Sequence, residues 1–324
     1  MARNTRNGRP NFEADRIQAW QNTGEEPIEL YDALLTMQPG IKKADAKRWL
    51  KFGYLMVDGV VNTGVHTPVL PGQWVEFNHT RPFVVFKHPR IDIVYEDDDI
   101  IVINKGYGLL SVGTNSTKKE ETAYDILKDY VKKVHPSNKL FVVHRLDRHT
   151  SGLMMFAKTQ EAQEALRHNW NNMVLERLYV AVLEGYLEQD QGYVKSRLAE
   201  NSRFEVYTTD VEGEGKLAVT HYKVLKRGGG YTLAEFSLDT GRKNQIRVHA
   251  KDLEHPIAGD RKYGAKTSPI NRLCLHARTL RFAHPITRKD MNFEQPVPPK
   301  FISVVRGGHT PRVLADNSTG DTDE

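Results

Sequence analysis

Two apolar, strand-like runs, residues 140–143 and 153–157, bracket the segment His144-Arg145-Leu146-Asp147-Arg148-His149-Thr150-Ser151-Gly152. A chain with this pattern brings a carboxylate and a guanidinium out of a strand into a turn before it re-enters a sheet. Side chains alternate along extended backbone, so Arg145 and Asp147 share one face and Leu146 takes the other. A carboxylate beside a guanidinium is held ionised and oriented, which suits catalysis. The same two letters also serve as a structural ion pair at a strand end, so a bare Arg-x-Asp does not choose between the two.

The surrounding segments do choose. Residues 96–105 run Glu-Asp-Asp-Asp-Ile-Ile-Val-Ile-Asn-Lys, and residues 177–181 run Arg-Leu-Tyr-Val-Ala. Residues 240–249 read Thr-Gly-Arg-Lys-Asn-Gln-Ile-Arg-Val-His, followed by His-Pro-Ile-Ala-Gly-Asp at 255–260 and Leu-His-Ala at 275–277. Together with the His-Arg-Leu-Asp-x-x-Thr-Ser-Gly stretch, in this order, they resemble the RluA-type pseudouridine synthases over roughly residues 91–302. Two positions depart from the family pattern: Asn244 stands where His is usual, and Gly106 where Pro follows Lys105.

The resemblance implies an α+β protein with the pseudouridine-synthase fold, a mostly antiparallel mixed sheet with flanking helices. It implies an isomerase that breaks the N-glycosidic bond of an RNA uridine, turns the base and rejoins it through carbon 5. Nothing is oxidised and no group leaves the product, so no cofactor and no metal are expected. The resemblance makes Asp147 the essential carboxylate, as nucleophile or as base at the ribose. Arg145 then lies beside the flipped nucleotide or fills its vacated place, because an enzyme working on a base takes it out of the stack. Tyr179 matches the tyrosine that stacks on the target base, Arg247 a partner in an ion pair with the aspartate. Arg242 and Lys243 are expected at phosphates, while His144 and His249 read as hydrogen-bonded structural histidines.

The formal net charge of +5 favours a polyanionic partner. Much of it is local. Residues 41–51 hold Lys42, Lys43, Lys47, Arg48 and Lys51 against Asp45 alone, on a helix whose Ala46, Trp49 and Leu50 face inward. A first helix around residues 30–35, an Asp58-Gly59 hairpin and a Pro71-Gly72 turn before a strand at 74–77 complete a small unit. This pattern resembles the S-four-type RNA-binding module of ribosomal proteins. The basic helix is expected to meet RNA phosphates, although such a charge run also serves as a plain solvated face.

The expected organisation is a flexible basic arm at 1–16, an S-four-type domain at 17–80, a linker at 81–90, a catalytic domain at 91–306 and a disordered tail at 307–324. The N-terminal stretch lacks the apolar core of a secretory signal, and no run has the length of a membrane span. The lone Cys274 has no disulfide partner and reads as a small buried hydrophobe. A cytoplasmic monomer without membrane or DNA partners is expected, acting on RNA. Ribosomal RNA of the large subunit is preferred as substrate, with transfer RNA as the alternative. A different class, a non-catalytic RNA-binding or ribosome-assembly factor, would require a decayed catalytic set. His-Arg-x-Asp also brings to mind a kinase loop, but the spacing to Asp and the Gly152 position do not fit one.

Overall fold

The structure, a computed structural model, describes residues 17–80, 82–113, 120–308, 313 and 314. The expected basic arm lies outside the described residues, as does most of the expected tail. The chain divides into two compact units, with the division after Phe86.

The first unit runs β1 (Ile17–Gln21), β2 (Ile28–Glu29), α1 (Leu30–Met37), α2 (Lys43–Lys51), β3 (Leu55–Val57), β4 (Val60–Val61), β5 (Pro68–Val69) and β6 (Trp74–Asn78). Its main sheet has the order β1-β6-β3-β4, and β2 pairs with β5. Leu30, Ala33 and Leu34 of α1 and Ala46 and Leu50 of α2 pack on Leu55, Val75 and Phe77. That apolar stripe leaves Lys42, Lys43, Lys47, Arg48 and Lys51 exposed. Asp58 (φ 48°) and Gly59 (φ 79°) form the left-handed two-residue turn between β3 and β4. The Asp58 carboxylate then accepts the Trp74 N–H at 2.9 Å and the Gln73 amide at 2.8 Å.

The second unit opens with β7 (Ile91–Glu96), β8 (Ile100–Lys105) and α3 (Ala123–Val134), then β9 (Phe141–Val142) and β10 (Ser151–Ala157). The helix α4 (Gln160–Met173) leads into β11 (Val174–Glu184), β12 (Gln191–Glu200) and β13 (Val206–Thr209). β14 (Lys216–Gly228), β15 (Tyr231–Leu238) and α5 (Gln245–Asp252) follow. β16 (Leu275–Ala283), β17 (Asp290–Glu294) and α6 (Pro299–Val304) close the unit. The long sheet has the order β13-β12-β14-β15-β11-β16-β10-β8-β7, with β17 on β16 and β9 on β10. All its ladders are antiparallel except β10 with β16, so the sheet is mixed but mostly antiparallel, with helices flanking it.

The parallel pair depends on one glycine. Gly152 (φ 116°) lies so close to β16 that a Cβ there would sit 2.1 Å from the Ala277 carbonyl oxygen. Only a residue without a side chain lets the two strands approach. On the outer side of β10, the strand expected over residues 140–143 shrinks to Phe141–Val142, and residues 143–147 have no ladder partner. Thr122 caps α3 by accepting the Asp125 N–H, and Ala123, Leu127 and Val131 face inward.

Candidate active site

Asp147 sits at the start of a turn in which its carbonyl accepts the Thr150 N–H at 3.1 Å. The turn is fixed from both sides. Buried Ser111 donates its hydroxyl to the Leu146 carbonyl at 2.6 Å and accepts the Leu146 N–H at 3.1 Å. Lys105, fully buried at the end of β8, donates to the carbonyls of Leu109 (2.8 Å), Gly106 (3.1 Å) and Arg148 (3.2 Å). Burial pushes the Lys105 ammonium down to about 7, against the attraction of Asp147, with Arg272 and Arg90 pushing further down. The Asp147 carboxylate itself is half-buried, and no described side chain bonds it. The backbone of the turn is held while the acid at its head has no bond to a described side chain.

Arg247 departs from the sequence expectation. Its Nε and Nη2 bind both oxygens of Asp260, at 2.8 and 2.7 Å, and its Nη1 reaches Asn244 Oδ1 at 3.3 Å. The guanidinium also lies 4.9 Å above the Tyr263 ring. The expected ion pair with Asp147 is therefore replaced by a planar, two-bond pair with fully buried Asp260, whose carboxylate matches the guanidinium fork. Burial opposes the Arg247 charge, yet the Asp260 bonds hold it above the ordinary value. Asp147 adds a weaker pull of the same sign. Asn244 explains its own departure from the family pattern. It caps α5 in the left-handed conformation (φ 53°), which Asn tolerates, and donates to the Tyr263 hydroxyl at 3.0 Å. Gly106 likewise uses the N–H that proline lacks, donating to the Arg90 carbonyl at 2.7 Å.

Tyr179 stands on β11 at a register shift against β16, between pairs Leu178–Thr279 and Tyr179–Ala277. Such a bulge re-aims a side chain. The phenol is half-buried, and burial raises it above its ordinary value, with Arg177 pulling down and Asp147 pushing up. It is therefore protonated at neutral pH. Arg145 is exposed and forms no ion pair with a described residue, so the structural Arg145–Asp147 pair is not formed. His144 accepts the Met155 N–H at 3.0 Å against the Trp170 ring, and burial pushes it down to about 3. His249 is bonded to Thr220 at 2.7 Å and Ser196 at 3.0 Å. Both histidines are fixed by their neighbours.

Of the expected phosphate contacts, Arg242 donates to the Leu217 carbonyl at 3.0 Å, and Lys243 pairs with Glu200. Both are exposed. On α2, Arg48 pairs with Asp45 at 2.9 Å and Lys51 lies over the Phe52 ring. Asp97, Asp99 and His284 are close enough to share a cation, but their lone pairs serve the protein. Asp97 accepts two backbone N–H groups, the Tyr95 hydroxyl and His284, which fits a structural cluster. Sequence reasoning gave no role to Lys105 or Asp260. Both stand inside motifs that were recognised, Lys105 as the last residue of 96–105 and Asp260 of 255–260.

The long mixed sheet carries Asp147, which no described side chain bonds, near buried Lys105, half-buried Tyr179 and Arg247, all within the segments that resemble the pseudouridine synthases. The family model described as RNA pseudouridylate synthase matches residues 99–252. The chain is 34% identical over 270 residues to the uncharacterized RNA pseudouridine synthase YlyB of Bacillus subtilis (strain 168), covering 81% of this chain and 88% of that one. It is 31% identical over 311 residues to ribosomal large subunit pseudouridine synthase D of Escherichia coli (strain K12), covering 90% and 94%. Among solved structures, human RNA pseudouridylate synthase domain containing 4 aligns with a TM-score of 0.54 at 25% identity, over 65% of this chain and 90% of that one. The chain belongs to the RluA-type RNA pseudouridine synthases, isomerases that act on uridines in RNA. Cys274 is buried, as its strand-like surroundings implied, and no described helix is long and apolar enough to cross a membrane.

Proposed function

We propose that this enzyme converts uridine to pseudouridine in large-subunit ribosomal RNA, with Asp147 as its catalytic carboxylate. The observation that carries the assignment of Asp147 is its carboxylate, bonded by no described side chain, on a turn whose backbone is bonded on both sides. A carboxylate already engaged by Arg247 would have to exchange that partner for substrate; this one does not.

The reaction needs three things from the chain. Asp147 meets the ribose of the flipped uridine, as nucleophile or as base, while the N1–C1′ bond breaks. Tyr179, a flat and protonated ring, stacks on the detached uracil while it turns to offer carbon 5. Carbon 5 then joins C1′, releasing Asp147 if it has bonded there; the proton leaves carbon 5 and N1 takes one up, so atoms balance without a cofactor. Arg145, exposed and without an ion pair to a described residue, enters the helix beside the flipped nucleotide.

The first unit is proposed as an S-four-type RNA-binding domain. Its exposed Lys42, Lys43, Lys47, Arg48 and Lys51 bind phosphates, with Arg242 and Lys243 of the second unit adding contacts. A second RNA-gripping surface is most useful on a large folded RNA, and relatives such as the Escherichia coli enzyme are named for the ribosomal large subunit. The enzyme acts as a cytoplasmic monomer, without DNA. Purified enzyme supplied separately with unmodified large-subunit rRNA and unmodified tRNA, followed by primer-extension mapping, tests the substrate. Modification of the rRNA at discrete uridines is expected; modification of tRNA alone would move the assignment to tRNA and leave the enzyme class intact.

A further inference from the structure

We infer that Phe204, at the tip of the loop between β12 and β13, is a base-stacking residue that grips an unpaired nucleotide of the RNA near the target uridine. The inference rests on the RNA-modifying activity of the family and adds a substrate contact that lies outside its sequence motifs.

Phe204 is 57% exposed and has a φ of 59°. A bulky residue seldom takes this left-handed conformation, and an aromatic ring in water gains nothing from it. The loop nevertheless imposes it. Asn201 Oδ1 accepts the N–H groups of Arg203 (2.9 Å) and Glu205 (3.0 Å), and the Asn201 carbonyl accepts that of Phe204 at 3.0 Å. Strain held in place by several bonds at an exposed tip is a feature of sites that meet a ligand.

The ring's surroundings define that ligand. Lys243 Nζ lies 5.5 Å from the ring centre and donates to the Phe204 carbonyl at 3.3 Å, while it is also paired with Glu200. Arg203, next to Phe204 in sequence, and Arg242, next to Lys243, are both exposed. Against them stand Glu200 and Glu205, so the local excess of positive charge is small. An exposed ring with modest positive charge suits a base stacked on its face and a phosphate beside it.

The loop also has a fixed relation to the reacting end of the domain. Val206, two residues on, packs with Val248 of α5 and with Tyr263. Tyr263 is the ring under Arg247, and Arg247 feels the charge of Asp147. Lys243 immediately precedes Asn244, the cap that bonds both Arg247 and Tyr263. The tip is thus built onto the same helix that positions the cation of the active site.

The test is a comparison of Phe204→Ala, Phe204→Gly and Phe204→Trp in the full-length enzyme on a large-subunit rRNA fragment that the parent modifies. Phe204→Ala is expected to raise KM about 5- to 150-fold with little change in kcat, the range for losing one base stack. Phe204→Trp is expected to restore KM, and its fluorescence to be quenched when RNA binds. Phe204→Gly relieves the backbone strain, so its melting temperature should rise while KM rises as in Phe204→Ala. An unchanged KM in Phe204→Ala, or a tryptophan unaffected by RNA, would overturn the proposal. A parent enzyme inactive on every RNA would instead count against the catalytic reading.

Discussion

Arg247 lays one edge of its guanidinium against both oxygens of Asp260, at 2.8 and 2.7 Å, and so turns a buried ion pair into the support of a neighbouring site. The arginine charge that reaches Asp147 is already committed to Asp260, and Lys105 adds a second, buried cation nearby. This leaves the Asp147 carboxylate its lone pairs while keeping a cation near it. Pairs of this kind are costly to break from one side, because the abandoned charge stays buried.

Asp260→Asn and Arg247→Met are each expected to destabilise the second unit by about 3–5 kcal/mol, since Asp260 is fully buried and its partner nearly so. The double variant should lose much less than the sum of the two. Thermal melts of all three proteins check this, and additive losses would show that the pair is not a coupled unit. Arg247→Met should also lower kcat, through loss of the positive charge near Asp147.

Lys105 gives the protein a pH signature. Its folded-state value, about 7, lies below the 10.5 of an unperturbed lysine. Between those values the unfolded chain binds the extra proton, so stability due to this group rises with pH across that window. Below about pH 7 both states are charged and the full burial penalty applies. The melting temperature of the parent relative to Lys105→Met should therefore increase from about pH 6 to about pH 9.5, a range that covers most of that window. A constant difference would mean that the ammonium keeps its ordinary affinity for the proton.

Gly152→Ala should damage folding rather than chemistry. The added Cβ would meet the Ala277 oxygen at 2.1 Å, and the φ of 116° is strained for any side chain. A loss of about 3 kcal/mol or more is expected, with opening of the parallel β10–β16 pair. Hydrogen exchange on β10 and β16 would reveal it, and native-like protection there would contradict the role given to this glycine.

The triple variant Lys47→Ala, Arg48→Ala, Lys51→Ala should bind structured RNA more weakly with a flatter salt dependence. Each phosphate contact removed lowers the log–log slope by ~0.7–0.9. Folding should hardly change, since these side chains are exposed and the Arg48–Asp45 pair is a surface pair worth at most a few tenths of a kcal/mol. An unaltered slope would make this helix face a solvated surface only.

Local signals in the sequence located the elements they govern. Asp58-Gly59 marks its hairpin because few residues accept left-handed backbone, and Thr122 marks the start of α3 by the hydroxyl it offers. The helix α4, with Thr159 as cap and Ala162, Leu166 and Met173 on its inner face, was not read from the sequence. Its Gln- and Asn-rich surface and the non-helical Asn169 hide that stripe. The β10–β16 pairing joins Ser151 to His276 across 125 residues, a match that no local pattern encodes. The site divides in the same way. Asp147 and Tyr179 stand in motifs with a recognisable order, whereas the choice of Asp260 over Asp147 by Arg247 depends on tertiary distance and on the orientation of a carboxylate plane.

The most direct test of the account replaces Asp147 with Asn. The change keeps size and shape and removes the charge at the head of a turn that is held by other bonds. Pseudouridine formation is measured by tritium release from labelled uridine in RNA, alongside a melting curve and RNA binding. The expected result is loss of turnover, with melting and binding close to those of the parent. Near-parental turnover in a well-folded Asp147→Asn enzyme would contradict the assignment of Asp147 as the catalytic carboxylate.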